Sequence, residues 1–305
     1  MSQFKTLAQM AEHVRASGTV TRIAVAVAED SHTLSSLGQA AREGFVQGIL
    51  IGNLGHINAL CEEEQIDPNL FELHDIPDED QATAEAVRMV RSGEADALMK
   101  GLVSTDRFLK AVLHKDRGLL PPKTVMSHVC VMEVPRYHKL LFLSDTAVLP
   151  FPDLYQKIAM VKYSVAMART FGVAKPKVAL ITATEKVYAN IPNTLEYAQI
   201  CKMAACGQIN DCVVDGPLDV FLACDPSAAE VKGVQTPVEG DADILIFPNL
   251  ESANSFYKGL MLFAECELAG LLQGTTKPVI VMSRSESAAS KYYCIALACL
   301  MAGEK

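Results

Sequence analysis

The sequence predicts an α/β fold in which mainly parallel sheets are covered by helices. Short apolar runs typical of buried strands alternate with amphipathic, helix-like segments along nearly the whole chain. With 50% hydrophobic and 21% charged residues, the composition is that of a globular protein. A chain of 305 residues is long enough to bury the cores of two domains. Strands that alternate with helices imply parallel sheets covered on both faces.

The first part of the chain contains four strand–helix pairs. The expected strands cover residues 22–29, 48–52, 71–76 and 95–101. We expect Thr33 to cap the first helix, and the second helix to cover 54–65. The third helix, 78–93, has an acidic first turn and a basic last turn, which suits the helix macrodipole. The sequence STDRFLKAVLHK forms the fourth helix.

The alternation is interrupted after Gly118 and then resumes. The runs PPKTVMSHVCVMEV and HKLLFLSDT lack a helix between them and predict an antiparallel hairpin connected at Pro135–His138. This hairpin is the expected crossing between the two domains. The later strands are KVALITA, CVVDG, DILIF and PVIVM, and the later helices cover 153–172, 192–207, 217–224, 251–272 and 286–301.

Charge and cysteine usage exclude several classes of protein. The net charge is −9 and no Lys/Arg-rich run occurs, so we expect no nucleic-acid partner. The nine cysteines include no CxxC pair, which favours reduced thiols in a cytoplasmic protein. The N-terminal segment has no apolar signal core, and no apolar run reaches the roughly 18 residues that span a bilayer. We therefore expect no membrane association.

Polar residues at the ends of several strands indicate a phosphate-bearing ligand. Neither GxGxxG nor GxxxxGK[ST] is present, which disfavours a Rossmann dinucleotide site and a P-loop. The carboxyl ends of parallel strands bind ligands, and helix N-termini there favour anions. The candidate binding residues at these ends are Lys100, Gly101, Ser104, Thr105, Ser144, Asp145, Thr146, Asn249, Asn254 and Lys258. Each polar residue alone is compatible with a helix cap, and Lys258 with a solvated lysine.

The segment SRSES after the last apolar run is richer in donors than a cap requires. Ser283, Ser285 and Ser287 provide three hydroxyls, and Arg284 provides a planar fork of donors suited to phosphate. The alternative is a serine cap beside an exposed arginine. We favour a phosphate-binding role for this segment.

These residues carry a resemblance to a known family. TAEAVRMVRSGEADALMKGLVST, LSDTAV, VDGPLDVFLA, ADILIFPNLESANSFYKG and PVIVMSRSESA resemble the phosphate acetyltransferase and phosphate butyryltransferase family along nearly the whole chain. SDTAV and SRSESAASKYY are closer to the butyryl branch. The resemblance implies reversible transfer of a short-chain acyl group, butyryl first, between CoA and inorganic phosphate. CoA and phosphate are then substrates, and no metal or redox cofactor is implied.

The resemblance also implies an architecture. We expect two α/β domains like those of isocitrate and isopropylmalate dehydrogenases, with the active site in the interdomain cleft, and a homodimer. The last strand–helix unit would return to the first domain. The implied bounds are 1–135 plus 284–305 for the first domain and 136–283 for the second.

The family motif implies catalytic roles for Ser283 and Arg284, and Ser290 is the third candidate because it stands at the position of the family's proposed base. Arg284 would hold phosphate or the CoA side of the reaction centre, and Ser283 would stabilise the oxyanion or orient the thiol. The acetyltransferases have an aspartate, proposed as the base, where this chain has Ser290. The identity of the base is therefore open, since neither Ser290 nor Glu286, expected as a cap, is an evident replacement. We hypothesise that phosphate or a positive environment reduces the need for one.

Two other functions are compatible with the fold class. A metal- and NAD-dependent decarboxylating dehydrogenase would need a nucleotide site and clustered metal ligands. Asp145, Asp215 and Asp219 form no evident ligand pattern. A non-catalytic acyl-CoA or acyl-phosphate binding module is the other alternative, and the intact SRSES and KGLVST segments argue against it. Acetyl transfer remains the alternative within the family.

Overall fold

The computed structural model describes residues 3–283 and 286–303. The chain divides into two compact units. The N-terminal unit comprises Leu7–Met126 and Leu268–Lys305, and the central unit comprises Met1–Thr6 and Ser127–Glu267. The chain passes from one unit to the other after Met126 and again after Glu267, and both points lie earlier in the sequence than the predicted bounds at 135 and 283. The first strand of the hairpin pairs with the second and so lies in the central unit, and the strand after Glu267 pairs with the last strand of the N-terminal unit.

In the described part of the N-terminal unit, helices alternate with strands along most of the chain. Its strands are β1 (Thr21–Ala26), β2 (Val46–Gly52), β3 (Phe71–Asp75), β4 (Ala97–Lys100), β10 (Glu267–Gln273, all but its first residue) and β11 (Val279–Ile280). Its helices are α1 (Leu7–Ala16), α2 (Ser31–Arg42), α3 (Leu54–Glu63), α4 (Glu79–Ser92), α5 (Thr105–Val112) and α11 (Ala288–Gly303). A 3₁₀ turn at Pro68–Leu70 precedes β3.

The sheet of this unit is parallel except at one edge. Its order is β3-β2-β1-β4-β11-β10, and only β10 runs antiparallel to its neighbour β11. The direction of chain progression reverses between β1 and β4, which are neighbours. That reversal is a topological switch point, where open α/β sheets leave a crevice at the carboxyl ends of their strands. The candidate residues after β4 and β11 therefore share one edge.

Side-chain caps fix where the helices of this unit begin. The carboxylate of Asp30 accepts the backbone N–H of Thr33 at 2.9 Å and caps α2. The expected cap at Thr33 is therefore wrong, because Asp30 lies before the first helical residue and Thr33 lies inside the first turn. Asn53, Asp78 and Ser104 cap α3, α4 and α5 in the same way.

The central unit contains a second group of strands. Its strands are β5 (Ser127–Glu133), β6 (Leu141–Ser144), β7 (Lys177–Ile181), β8 (Val213–Leu218) and β9 (Ile244–Ile246). Their order is β5-β6-β9-β7-β8, with β5 antiparallel to β6 and the remaining pairs parallel. The helices are α6 (Leu154–Thr170), α7 (Pro192–Ala205), α8 (Val220–Cys224), α9 (Pro226–Lys232) and α10 (Leu250–Phe263). The predicted antiparallel hairpin is thus confirmed.

The expected helix over 251–272 is wrong. Helix α10 ends at Phe263, and Glu267–Gln273 forms strand β10. Five consecutive buried residues occupy the centre of that strand, so the segment is a continuous apolar run rather than one face of a helix. Such runs do not distinguish a buried strand from a buried helix by periodicity. Helix α1 was also not anticipated, although four of its residues are buried.

Among the residues that the structure describes, no helix is long and apolar enough to cross a membrane.

Gly101 lies where the carboxyl ends of β1 and β4 approach each other closely at the switch point. A Cβ atom at this position would lie 2.1 Å from the carbonyl oxygen of Val27, which is backbone and cannot rotate away. We expect Gly101→Ala to lower the free energy of unfolding by about 3 kcal/mol or more, measured by urea denaturation.

Gly259 provides the matched control for that substitution. It lies in α10, and a Cβ there meets nothing within 4 Å. Gly259→Ala should leave stability unchanged or raise it by about 1 kcal/mol through helix propensity. Equal effects of the two substitutions would contradict the close approach at Gly101.

Candidate functional site

The carboxyl end of β4 places the first group of candidate residues at the switch point. The N–H of Gly101 donates to the carbonyl of Ala26 at 2.9 Å, and that of Leu102 to the carbonyl of Val27 at 2.7 Å. Val27 has a φ of 57°, in the left-handed region that side-chain-bearing residues rarely adopt. The loops after β1 and β4 are therefore bonded to one another, and only glycine at position 101 permits this.

Lys100 is buried at this edge, with 6% of its surface exposed. Its Nζ donates to the carbonyl oxygens of Gly101 and Val103, each at 3.0 Å. In both of these bonds the acceptor is a neutral backbone carbonyl rather than a carboxylate. This placement fits the predicted role of Lys100 toward phosphate.

Ser104 and Thr105 follow on the exposed start of α5. The Ser104 hydroxyl accepts the N–H of Arg107 at 3.4 Å, which is an N-cap bond. Thr105 is the first residue of the helix. The structure thus gives Ser104 the capping role that was the alternative to ligand binding, and the binding role of both residues stays a prediction.

The segment after β11 lies at the same edge, because β11 runs parallel to β4 with Ile280 opposite Met99. The N–H of Ser283 donates to the carboxylate of Glu286 at 2.9 Å. Glu286 precedes α11, which begins at Ala288, rather than lying in its first turn. Arg284 and Ser285 lie outside the described residues.

Ser287 and Ser290 have structural partners at the start of α11. The Ser287 hydroxyl accepts the N–H of Ser290 at 2.9 Å, as a helix cap does. Ser290 is fully buried, and its hydroxyl accepts the N–H of Leu268 in β10 at 3.2 Å. The catalytic role of Ser290 stays a prediction, and these bonds define a structural role for it.

A buried ion pair joins α11 to α2 beside this segment. Lys291 is 3% exposed, and its Nζ lies 2.6 Å from the carboxylate of Asp30 and 3.4 Å from the hydroxyl of Thr33. Burial alone would raise the pKa of Asp30, but the hydrogen bonds from Lys291 and Thr33 outweigh it, so the pKa is lowered. The pair anchors the start of α11, and with it the segment that follows β11, at the switch-point edge.

The central unit contains the second group of candidate residues, at the carboxyl end of β6. Ser144, Asp145 and Thr146 are all at least 98% buried there, with Asp145 at 1% and Thr146 at 2% exposed. The Asp145 carboxylate accepts the N–H groups of Ala147 and Val148, each at 2.8 Å.

The same carboxylate also reaches the start of β5. It accepts the N–H of His128 at 3.0 Å and a hydrogen bond from Ser127. Burial nevertheless raises the pKa of Asp145, although these bonds act in the opposite direction. These bonds give Asp145 a structural role in holding the turn in place, and its substrate-binding role stays a prediction.

His128 belongs to this group and was missed by the sequence analysis. Its Nδ1 lies 2.7 Å from the hydroxyl of Thr146, and its Nε2 is buried with no hydrogen-bond partner among the described residues. Complete burial lowers the pKa of His128 to about 4, so the ring is neutral near neutral pH. A single histidine within the apolar run SHVCVMEV does not indicate a functional residue when only one sequence is considered. Its position opposite the SDT turn appears only through strand pairing.

Helix α10 brings Asn254 to the same turn. Its side-chain Nδ2 donates to the carbonyl of Thr146 at 3.0 Å. Asn249 caps the helix through Ser252, whose N–H it accepts at 2.9 Å, while Lys258 is exposed one turn beyond Asn254. The structure therefore joins Asn254 to the SDT turn, and the ligand roles of Asn249 and Lys258 stay predictions.

The chemistry available in each unit follows from these contacts. The N-terminal unit presents a buried ammonium and the start of α11 at a switch point, which suits an anionic group. The central unit presents a rigid polar turn that includes the Thr146 hydroxyl. Within residues 3–283 and 286–303, no group of three or more His, Cys, Asp or Glu side chains has the arrangement of a metal site.

Comparisons with known proteins agree with this picture. The sequence model of the family described as "Phosphate acetyl/butaryl transferase" matches residues 77–299. The chain is 42% identical to the phosphate butyryltransferase of Clostridium acetobutylicum over 93% of this chain and 94% of that protein. The chain belongs to the phosphate acetyl/butyryltransferase family. The predicted resemblance is confirmed, and the protein is an acyltransferase.

Other members of the phosphate acetyl/butyryltransferase family match as well. The phosphate acetyltransferase of Thermotoga maritima is 38% identical over 97% of this chain and 99% of its own length. The crystal structure of a branched-chain phosphotransacylase from Enterococcus faecalis V583 matches with a TM-score of 0.81 at 28% identity. It covers 93% of this chain and 100% of that chain.

The predicted dehydrogenase-like architecture is confirmed by a more distant structure. The 4-hydroxythreonine-4-phosphate dehydrogenase of Klebsiella pneumoniae matches over 92% of this chain and 99% of its own with a TM-score of 0.52. At 13% identity this similarity concerns the fold alone.

The buried His128 should make stability depend on pH. Its pKa is about 4 in the folded protein, against 6.5 for an unperturbed histidine. The unfolded chain therefore takes up a proton here first as the pH falls. The His128 contribution to the free energy of unfolding should drop by about 2 kcal/mol from about pH 7 to about pH 5.

His128→Asn isolates this contribution. It removes the titration and leaves an amide near the Thr146 hydroxyl, while Asp145 still titrates in both proteins. Urea unfolding at both pH values should show a smaller pH dependence in the variant. Parallel pH profiles would contradict a neutral buried ring.

The bond from Leu268 to Ser290 predicts the effect of Ser290→Ala. The substitution leaves a buried backbone N–H without its acceptor, so we expect a loss of about 1–3 kcal/mol in the free energy of unfolding. Turnover at a temperature where both proteins are folded should stay within about threefold, since serine is a poor base. Ser255→Ala, at an exposed position of α10, is the control. Lost turnover with unchanged stability would instead assign Ser290 to the chemistry.

Proposed function

We propose that this protein is a phosphate butyryltransferase that reversibly converts butyryl-CoA and inorganic phosphate into butyryl phosphate and CoA. The observation that supports this proposal is the near-full-length similarity to the clostridial protein that is named a phosphate butyryltransferase. The buried Lys100 and Ser283, both at the switch-point edge, are consistent with it. No metal or redox cofactor is needed for the reaction.

The proposed chemistry assigns a task to each group of residues. Starting from butyryl phosphate, the CoA thiolate attacks the acyl carbonyl, a carbon–sulfur bond forms, and the carbon–oxygen bond to phosphate breaks. Arg284 and Lys100 would hold the phosphate as it leaves, and Ser283 would donate to the oxyanion. The departing phosphate can accept the thiol proton, which is why a dedicated base is not required.

We also propose a substrate-binding role for the SDT turn of the central unit. The Thr146 hydroxyl lies 2.7 Å from Nδ1 of His128 and the Thr146 carbonyl accepts from Asn254, so neighbouring side chains fix the position of this residue. Asp145 would act only through the backbone that it holds. We therefore propose Thr146 as a substrate contact and Ser144 and Asp145 as positioning residues.

Acetyl transfer is the second candidate, because the family contains phosphate acetyltransferases of similar identity. Butyryl and acetyl groups differ by two methylenes, each worth about 0.8 kcal/mol when buried. We place butyryl first, and we also propose that the protein is cytoplasmic and homodimeric, as the family resemblance implies. Sedimentation of the purified protein would test the dimer.

The direct test is release of CoA thiol from butyryl-CoA, measured beside acetyl-CoA and propionyl-CoA with a no-substrate blank for the nine cysteines. We expect release that requires phosphate and is fastest with butyryl-CoA. Release without phosphate, or none with any acyl group, would refute the proposal. Fastest release with acetyl-CoA would move the protein to the acetyl branch.

Arg284→Lys distinguishes a bidentate phosphate contact from simple positive charge. Lysine keeps the charge but loses the planar fork, so we expect the KM for phosphate to rise about tenfold or more. Arg42→Lys, at an exposed position of α2, is the control and should leave the KM unchanged. An unchanged KM for phosphate in Arg284→Lys would remove Arg284 from this role.

A further inference from the structure

A groove in the N-terminal unit is lined by none of the residues to which the proposed reaction assigns a task. It encloses about 440 Å³ between α4 and the segment that includes the end of α5, within the size range of small-molecule sites. Its lining residues are Gln81, Ala84, Glu85, Val87, Arg88, Arg91, Ala111, His114 and Arg117.

The charge of this groove is opposite to that of the protein. Three arginines and one glutamate line it, whereas the whole chain has a net charge of −9. Arg88 is engaged by carboxylates, since it lies 2.8 Å from Glu85 and 2.6 Å from Glu94. Arg91 and Arg117, both exposed, remain as the positive groups that a ligand could engage. Concentrated positive charge on an acidic protein favours an anionic ligand.

The geometry around His114 indicates where such an anion would bind. The ring nitrogen Nδ1 accepts the backbone N–H groups of Asp116 and Arg117, each at 3.3 Å. The ring proton of the neutral imidazole therefore lies on Nε2. This nitrogen is 3.4 Å from Nη2 of Arg117, which is also a donor. Two donors facing each other at this distance are best satisfied by an acceptor that bridges them.

The loop that presents these two donors is rigidly built. Gly118 donates its N–H to the carbonyl of His114 at 2.7 Å, and Leu119 donates to that of Val112 at 2.8 Å. A Cβ at Gly118 would lie 2.2 Å from the Val112 carbonyl oxygen, so the close turn requires glycine. The ion pair of Arg107 with Glu79, at 2.6 Å, fixes the start of α5 against that of α4. The groove is thus formed before any ligand arrives.

We propose that this groove binds a phosphorylated nucleotide. Arg91, Arg117 and His114 would donate to its phosphate groups. The volume exceeds that needed for phosphate alone, and the apolar lining beside the arginines, from Ala84 and Ala111, offers a surface for a base. Guanidinium groups bind phosphate and stack on planar rings, which makes this combination suited to a nucleotide.

The nucleotide could come from two sources. One is the nucleotide portion of CoA, and this case rests on the proposed function. The other is a free nucleotide acting as an effector. Isothermal titration of the full-length protein with CoA, dephospho-CoA, ADP, ATP and inorganic phosphate separates them, because only CoA and dephospho-CoA carry the pantetheine arm.

Four variants make the titration specific. Arg91→Gln/Arg117→Gln removes the two charges, and Ala84→Phe fills the groove from an exposed helix position without changing charge. Arg42→Gln removes one exposed positive charge elsewhere in the same unit. His114→Ala removes the imidazole ring and with it the second donor of the facing pair. Circular dichroism and thermal unfolding would establish that each variant is folded.

We expect at least one nucleotide to bind wild type and Arg42→Gln equally. The double arginine variant should bind it roughly tenfold or more weakly, Ala84→Phe should also weaken it, and added salt should weaken wild-type binding. If the double arginine variant binds CoA more weakly and neither ADP nor ATP binds wild type, the ligand is the nucleotide portion of CoA. If the variant binds ADP or ATP more weakly than wild type does, the ligand is a free nucleotide.

Other results would overturn the inference. No nucleotide binding to wild type, equal binding to all variants, or binding of inorganic phosphate only would each refute a nucleotide site here. Thiol release is measured separately on every variant. Turnover without groove-dependent binding would leave the proposed function standing, and groove-dependent ADP or ATP binding without turnover would leave this inference standing alone.

Discussion

The arrangement of the central unit depends on one buried carboxylate. Asp145 directly follows β6, where the chain leaves the sheet and its N–H groups lose their partners in the strand ladder. Three backbone N–H groups, from His128, Ala147 and Val148, donate to it instead. Such charge-assisted bonds are among the stronger ones in proteins, and an unpaired buried donor is costly. The carboxylate therefore fixes the turn after β6 and the start of β5 together, and the orientation of Thr146 follows from that.

The N-terminal unit meets the same requirement by different means. Its strand ends approach so closely that Gly101 bonds directly to the loop after β1, and the polar groups there are backbone carbonyls that accept from Lys100. The buried pair of Lys291 and Asp30 then fixes α11 against α2. A buried pair of this kind contributes little net stability but is costly to break, so its main effect is to specify one position for the helix. Both units thus use buried charge to position polar segments rather than to build the core.

The sequence predicted most strands and helices because apolar runs and capping residues carry that information locally. It failed where the local signal is ambiguous. The run after Phe263 is continuously apolar, and its assignment to β10 depends on pairing with β11, which no local pattern encodes. The candidate residues were found by their positions after strands, yet their division into ligands and supports was not predictable. The capping role of Ser104 and Ser287 is visible only in the structure, where each hydroxyl accepts a hydrogen bond from a backbone N–H.

The missed histidine shows why the rest required a structure. In the sequence, His128 is one polar residue in an apolar strand, and a core position satisfied by packing would look the same. Its significance comes from residue 146, which lies near it only because β5 and β6 are antiparallel. Desolvation keeps the ring neutral, so it orients a hydroxyl without introducing a charge that would compete for an anionic substrate. In the proposed reaction, a charged residue at this place would attract phosphate to the supporting residue rather than to the groups that hold the substrate, so a neutral His128 fits the role proposed for Thr146.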